Sequence, residues 1–241
     1  MTDEEKNEIQ WTPLESNPDA MNKFLWTIGV PKDWSVVDVY GLDEELLEFI
    51  GGPVVALILL YPETVHKHVL SIIQDTIDNT MDDDNRQNVF FMKQTIRHVC
   101  GTVALIHSVA NNCHRIVLQE NSSLKNYIDK CRQLSTPEER GRLLEVSKDI
   151  CSAHHECASD GQSTIPAADD NVSGHFVALV HNNGYLYHLD GSQPKPVKHC
   201  QTSDENFLLD AVRLIRQLVA KDPTDLNFSV VALIHQNPDL M

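Results

Sequence analysis

Three uninterrupted apolar runs restrict the fold of this chain more than any other feature. Residues 54–60 read VVALILL, residues 102–111 TVALIHSVAN and residues 228–234 FSVVALI. The first and last lack the polar–apolar alternation of a half-exposed strand and suit strands buried on both faces. The middle run is apolar nearly all round, as expected of a helix buried inside the domain.

The remaining elements follow from local signals. Residues 17–29 (NPDAMNKFLWTIG) predict a short helix with Asn17 or Asp19 as cap and Gly29 at its end. Residues 34–39 predict a strand, 43–50 a short helix closed by Gly51-Gly52-Pro53, and 63–79 a longer helix. Residues 81–88 (MDDDNRQN) read as a charged loop, and 122–132 as a helix. Thr136-Pro137-Glu138-Glu139 opens another helix with a capping box. Residues 152–173 show no periodicity and predict an unusually long loop. Residues 175–180 and 185–189 predict a hairpin about Asn182-Asn183-Gly184, followed by a helix over 205–220. The mixture of helices and strands, with antiparallel strands late, indicates a single α+β domain over the 241 residues.

Charge narrows the partners. Thirty-five acidic against nineteen basic residues give a formal net charge of −16. Nucleic acid and anionic membrane surfaces both require a cationic face, so neither is expected. A basic partner suits this charge, as does plain solubility. The first ten residues are acidic and lack an apolar run, unlike a secretory signal. The expectation is an intracellular, cytoplasmic protein, with nuclear access open, whose six cysteines are mostly reduced thiols. The sequons at Asn121, Asn171 and Asn227 are then chance matches.

One cysteine lies where chemistry would place it. Cys100-Gly101-Thr102 leads into the buried helix, and a helix N-terminus favours a thiolate. Gly101 permits close approach of another segment. Gln94, six residues earlier, carries an amide suited to an oxyanion. The hairpin offers a base. Centred between Asn182 and Asn183, it sets His175 opposite Asp190. Centred one residue pair later, between Asn183 and Gly184, it sets Val177 opposite Asp190 and His175 one diagonal step away. In both registers His175 and Asp190 share a face, the pairing that orients an imidazole in Cys-His-Asp catalysis. The plain alternative is a structural thiol and an inert polar pair.

Together these motifs resemble the ubiquitin carboxyl-terminal hydrolase family. The resemblance rests on Gln94-Thr95-Ile96 and Cys100-Gly101-Thr102 with Leu105-Ile106-His107, on Gly174 to Val180 (GHFVALV), and on Leu186 to Gly191 (LYHLDG). Trp11 to Pro18 (WTPLESNP) and Val37 to Gly41 (VDVYG) match as well, so nearly the whole chain is covered. The family implies a papain-like α+β fold, a mainly antiparallel sheet flanked by helices, with a knotted backbone. It implies a short, tail-less, monomeric thiol hydrolase that needs no cofactor or metal. Such an enzyme cleaves small or flexible adducts from the C-terminal glycine of ubiquitin or a ubiquitin-like modifier.

By motif position, Cys100 would be the nucleophile, His175 the base and acid, Asp190 the orienting residue and Gln94 the oxyanion donor. Residues 152–173 would form a crossover loop over the site. Pro13, Leu14, Glu15, Asp19, Asp38, Asp225 and Leu226 fall where the family contacts ubiquitin. One departure precedes the nucleophile: Arg97, His98 and Val99 are bulkier than the family's usual small or polar residues, commonly with Asn two before Cys. A cationic His98 would lower the thiol pKa, whereas a solvent-facing one would not.

Three rival readings stand beside this one. Cys151, His154, His155 and Cys157 have ligand spacing for zinc, though without a second half-site. The chain can be a ubiquitin-binding module that has lost catalysis, or a cysteine amidase acting on small molecules.

Overall fold

Each non-alternating run needs apolar cover on both sides, and the sheet order supplies it. In a computed structural model, described over residues 11–79, 88–159, 174–220 and 228–237, six antiparallel strands lie in the order β1-β6-β2-β3-β4-β5. They are β1 (Trp34–Asp38), β2 (Val54–Pro62), β3 (Gly174–Asn182), β4 (Tyr185–Leu189), β5 (Val197–Gln201) and β6 (Ser229–His235). The two apolar strands β2 and β6 are central neighbours, with β2 hydrogen-bonded to β3 on its other side.

Alternate residues of these strands serve two cores. Ala56, Ile58, Ala178, Val180 and Leu189 face one layer of helices: α1 (Pro18–Thr27), α4 (Cys100–Ala110), α5 (Ser123–Cys131), α6 (Pro137–Glu145) and α7 (Lys148–Ser159). Leu57, Leu59, Val177, Leu179 and Leu186 face the other, built from α2 (Glu44–Leu47), α3 (Glu63–Asn79) and α8 (Phe207–Val219). Helix α4 is the buried helix expected over 102–111: every residue from Gly101 to Ala110 is buried.

Local chemistry sets the element ends. Asn17 accepts from the N–H groups of Asp19 and Ala20 to cap α1, and Pro18 takes its first position. Gly29 leaves α1 at φ +110, and a Cβ there would lie 2.1 Å from the Ser122 side chain. Thr136 and Glu139 close the expected capping box of α6. The hairpin turns on Asn183 (φ 47) and Gly184 (φ 80), both left-handed as a two-residue type I′ turn requires. Ala178 pairs with Leu189 and Asn182 with Tyr185, so the register is the one that sets Val177 opposite Asp190.

Two expectations need correction. Residues 152–159 are not loop but the second half of α7; of the expected 152–173 loop, 160–173 lie outside the described residues, as do 1–10 and most of 81–88. Ile150, Ala153, His154, Cys157 and Ala158 are buried at helical spacing, a pattern hidden because His and Cys read as polar. Strand β5 (VKHCQ) was unforeseen, because an edge strand this short carries no apolar alternation.

The free edge of β1 is closed by a side chain. Asn22 of α1 donates to the Val36 carbonyl (2.9 Å) and accepts from its N–H (2.6 Å), imitating a neighbouring strand. Asn22→Ala leaves both groups buried and unpaired, for a loss of about 3 kcal/mol. Urea denaturation should show a lower midpoint at unchanged slope; an unmoved midpoint would mean the amide is dispensable.

Candidate active site

Cys100 is the first residue of α4, half-buried, at the end where backbone N–H groups lack helical partners. The turn that delivers it passes through His98 at φ +61, a left-handed conformation. Asn and His tolerate this region better than most residues. His98 is thus a residue type that suits this turn. His98 is half-buried, and burial followed by the Arg97 charge lowers its pKa. Both effects work against a His98 cation beside Cys100. At Gly101 a Cβ would meet Leu14 at 3.2 Å and the Phe176 ring at 3.3 Å, so the glycine admits both the N-terminal segment and β3 to the helix start.

His175 and Asp190 meet directly. His175 Nε2 lies 2.7 Å from Asp190 Oδ1, which also accepts from the Ser192 N–H at 2.8 Å. Asp190 is 1% exposed. Burial alone would lower the His175 pKa. The Asp190 carboxylate, which accepts from the ring, outweighs it together with the negative charges of Asp190 and Cys100, and the value rises to about 10. Burial would raise Asp190 in turn, but the His175 hydrogen bond and charge hold it well below the usual carboxylate range.

Gln94 sits on a strap, residues 88–99, that is fastened at several points. The Met92 N–H donates to His107 Nε2 (3.1 Å), and Phe90 exchanges two hydrogen bonds of 2.9 Å with the Asn111 amide. Arg140 donates to the Phe91 carbonyl (2.8 Å). The Gln94 N–H donates to the Gly191 carbonyl (2.8 Å), tying the strap beside Asp190. The Gln94 amide donates to the Ile96 carbonyl at 3.1 Å, and its Oε1 is buried without a donor among the described residues.

Two residues beside the pair escaped the sequence reading. Tyr61 of β2 pairs in register with His175 and stacks edge-on to its ring, 5.8 Å between centroids. His66 of α3 does so at 5.2 Å, and its Nδ1 lies 3.2 Å from the Tyr61 hydroxyl. Burial, then the His175 charge, lowers the His66 pKa. No motif marks either residue; only the pairing of β2 with β3 brings them here. Among the described residues, one group of three or more donors has the proximity to hold a metal ion: His66, His175 and Asp190.

The alternative zinc cluster dissolves. His154 Nε2 donates to the Thr12 carbonyl (2.6 Å), so its Nδ1 accepts from the Thr102 hydroxyl (2.7 Å). Both ring nitrogens are thereby used, and Cys157 is buried in the core. Of the expected partner contacts, Asp19 and Asp38 are exposed, Pro13 and Glu15 are half-buried, and Leu14 is packed into the core beside Gly101. Asp225 and Leu226 lie outside the described residues.

Comparison with known proteins gives the family. Residues 11–220 match the family model described as ubiquitin carboxyl-terminal hydrolase, family 1. The chain belongs to the ubiquitin carboxyl-terminal hydrolase family. A ubiquitin carboxyl-terminal hydrolase of Drosophila melanogaster is 43% identical over 227 residues, covering 93% of this chain and 97% of that one. One of Aplysia californica is 40% identical over 220 residues, covering 90% and 98%. The fold is similar to that of the Trichinella spiralis UCH37 catalytic domain, crystallised with ubiquitin vinyl methyl ester, at TM-score 0.73 and 22% identity over 94% and 96% of the chains. As a family member, the protein is a cysteine-type deubiquitinating hydrolase. All six cysteines of this hydrolase are free, and no helix among the described residues is long and apolar enough to cross a membrane.

The raised His175 pKa has a consequence for stability. A group whose pKa is higher folded than unfolded stabilises fully below its unfolded value, near 6.5, and loses that contribution as pH rises through about 10. Folding stability of the hydrolase should therefore decline from this group between about pH 6.5 and 10. His175→Gln should flatten that limb of a denaturation series; an equally steep decline in the variant would place its origin elsewhere.

Proposed function

We propose that the hydrolase cleaves small or flexible adducts from the C-terminal glycine of ubiquitin, with Cys100, His175, Asp190 and Gln94 as its catalytic residues. The observation that carries this reading is the 2.7 Å His175–Asp190 hydrogen bond, beside a cysteine at a helix N-terminus whose charge favours the His175 cation. The Cys100 thiolate attacks the carbonyl carbon of the terminal glycine, and the carbonyl electron pair moves onto oxygen. The Cys100 N–H and the Gln94 amide, which keeps a second N–H beyond the one given to Ile96, donate to that oxyanion. The tetrahedral adduct collapses and expels the leaving group, which takes a proton from His175. Neutral His175 then removes a proton from water, whose oxygen attacks the thioester and frees Cys100. Asp190 orients the imidazole throughout.

Ubiquitin as the substrate is supported by the ligand of the Trichinella spiralis structure and by the charge of −16. A basic C-terminal tail would meet Asp19, exposed in the first turn of α1, and Asp38, exposed at the end of β1, with Pro13 and Glu15 of the N-terminal segment as further contacts. Leu14 would act from beneath, by holding this segment against Gly101. Asp225 and Leu226 would complete the surface, and residues 160–173 would restrict the leaving group. A ubiquitin-like modifier is a second substrate by the same chemistry. The four catalytic side chains come from one chain, which suits a monomer, and six free thiols suit the cytoplasm.

Release of a fluorophore from the C-terminus of ubiquitin tests the reading. Wild type should turn over and Cys100→Ala should not, while still binding ubiquitin. Gln94→Ala should lower kcat about 10²–10³-fold with little change in KM. Tight binding without turnover by reduced wild type would make the protein a ubiquitin reader instead.

A further inference from the structure

The hydrogen bonds of the catalytic pair leave lone pairs unused on its inner side. Asp190 Oδ2 is buried with no donor among the described residues, although Oδ1 accepts two hydrogen bonds. His188, two residues earlier and so on the same face of the ribbon, is fully buried, and neither ring nitrogen has a hydrogen-bond partner among the described residues. Buried acceptors are normally paired, and an uncommitted carboxylate oxygen beside other ligand atoms suits a cation. His66 completes the group from α3: the ligand atoms of His66, His175 and Asp190 lie within 4.8 Å of one another.

We propose that His66, His175 and Asp190 form a Zn²⁺ site, and that zinc held there blocks hydrolysis by replacing the His175–Asp190 hydrogen bond with metal bonds. Tetrahedral zinc spaces its ligand atoms by about 3.4 Å. The group spans 2.7 Å for His175 Nε2 to Asp190 Oδ1 and at most 4.8 Å overall, so small side-chain movements close it on an ion. Two imidazoles and a carboxylate are a three-ligand zinc set that leaves one position open. Two imidazole nitrogens favour zinc over magnesium or calcium, which prefer oxygen ligands, and water can take the open position. His66 already has the support that metal-binding histidines use. Its Nδ1 faces the hydroxyl of Tyr61, a fully buried residue fixed on β2, which orients the ring and leaves Nε2 for the ion.

The effect on turnover rests on the catalytic reading above; the binding does not, so the two are measured separately. Calorimetry on Cys100→Ala, free of chelator, should show one zinc ion per chain. Adding His66→Gln or His66→Asn should weaken binding about 10-fold or more, since even outer partners of a metal ligand are worth that much. His114→Gln, at an exposed histidine elsewhere, should change nothing. With residue 66 intact, zinc should shift the imidazole resonances of both His66 and His175 in Cys100→Ala, a readout independent of how the variants fold. In turnover, with each protein scaled to its own metal-free rate, inhibition by zinc should need about 10-fold more metal in His66→Gln than in wild type. Equal inhibition of the two would mean that zinc acts through Cys100 alone. That result, or binding by Cys100→Ala indifferent to residue 66, overturns the site.

Discussion

Everything at the site depends on how helix α4 is held. It crosses the interior with Cys100 at one end, and buried polar residues in it and just past it tie down three other segments. Thr102 is bonded to His154 of α7, which in turn holds the Thr12 carbonyl of the N-terminal segment. Asn112, just past the helix, donates to the Val55 carbonyl of β2 (3.1 Å). His107 and Asn111 carry the strap that bears Gln94. Buried hydrogen-bond partners are costly to separate, so the helix cannot shift without breaking several contacts at once. The nucleophile is thereby fixed against the sheet that supplies His175.

The electrostatics follow from that placement. His107 and His154 lie deep enough that burial lowers each pKa to about 4, so both are neutral struts. His175 is buried as well, yet its pKa is raised, because Asp190 sits against one ring nitrogen and Cys100 is close by. Burial decides protonation at His107 and His154; the adjacent anions decide it at His175. The same buried carboxylate has one oxygen without a donor among the described residues, which is why a histidine arriving from α3 changes what the pocket can bind.

Much of this was legible beforehand. The runs at 54–60 and 228–234 announced central strands because nothing in them alternates, and Asn183-Gly184 announced the hairpin because two left-handed residues are needed there. The His175–Asp190 contact followed from period-two alternation, whichever register held. What stayed hidden has physical causes. Helix α7 presents Ala, His and Cys to the core, residues whose apolar character is weak or conditional, so its second half read as loop. Strand β5 is an edge with one buried position out of five. Tyr61 and His66 reach the site through the pairing of β2 with β3, a long-range fact that no local pattern carries. Leu14 sits in the core because Gly101 opens a space for it, a complementarity that appears only when both segments are placed.

The central claim is that one thiol of six is the nucleophile. Ubiquitin bearing an electrophile at its C-terminus, incubated with the reduced protein and followed by peptide mapping, tests it most directly. The account predicts one covalent adduct per chain, on Cys100 alone, and none after His175 is replaced by Ala at the same exposure. An adduct on the exposed Cys200, or none on wild type, would contradict it.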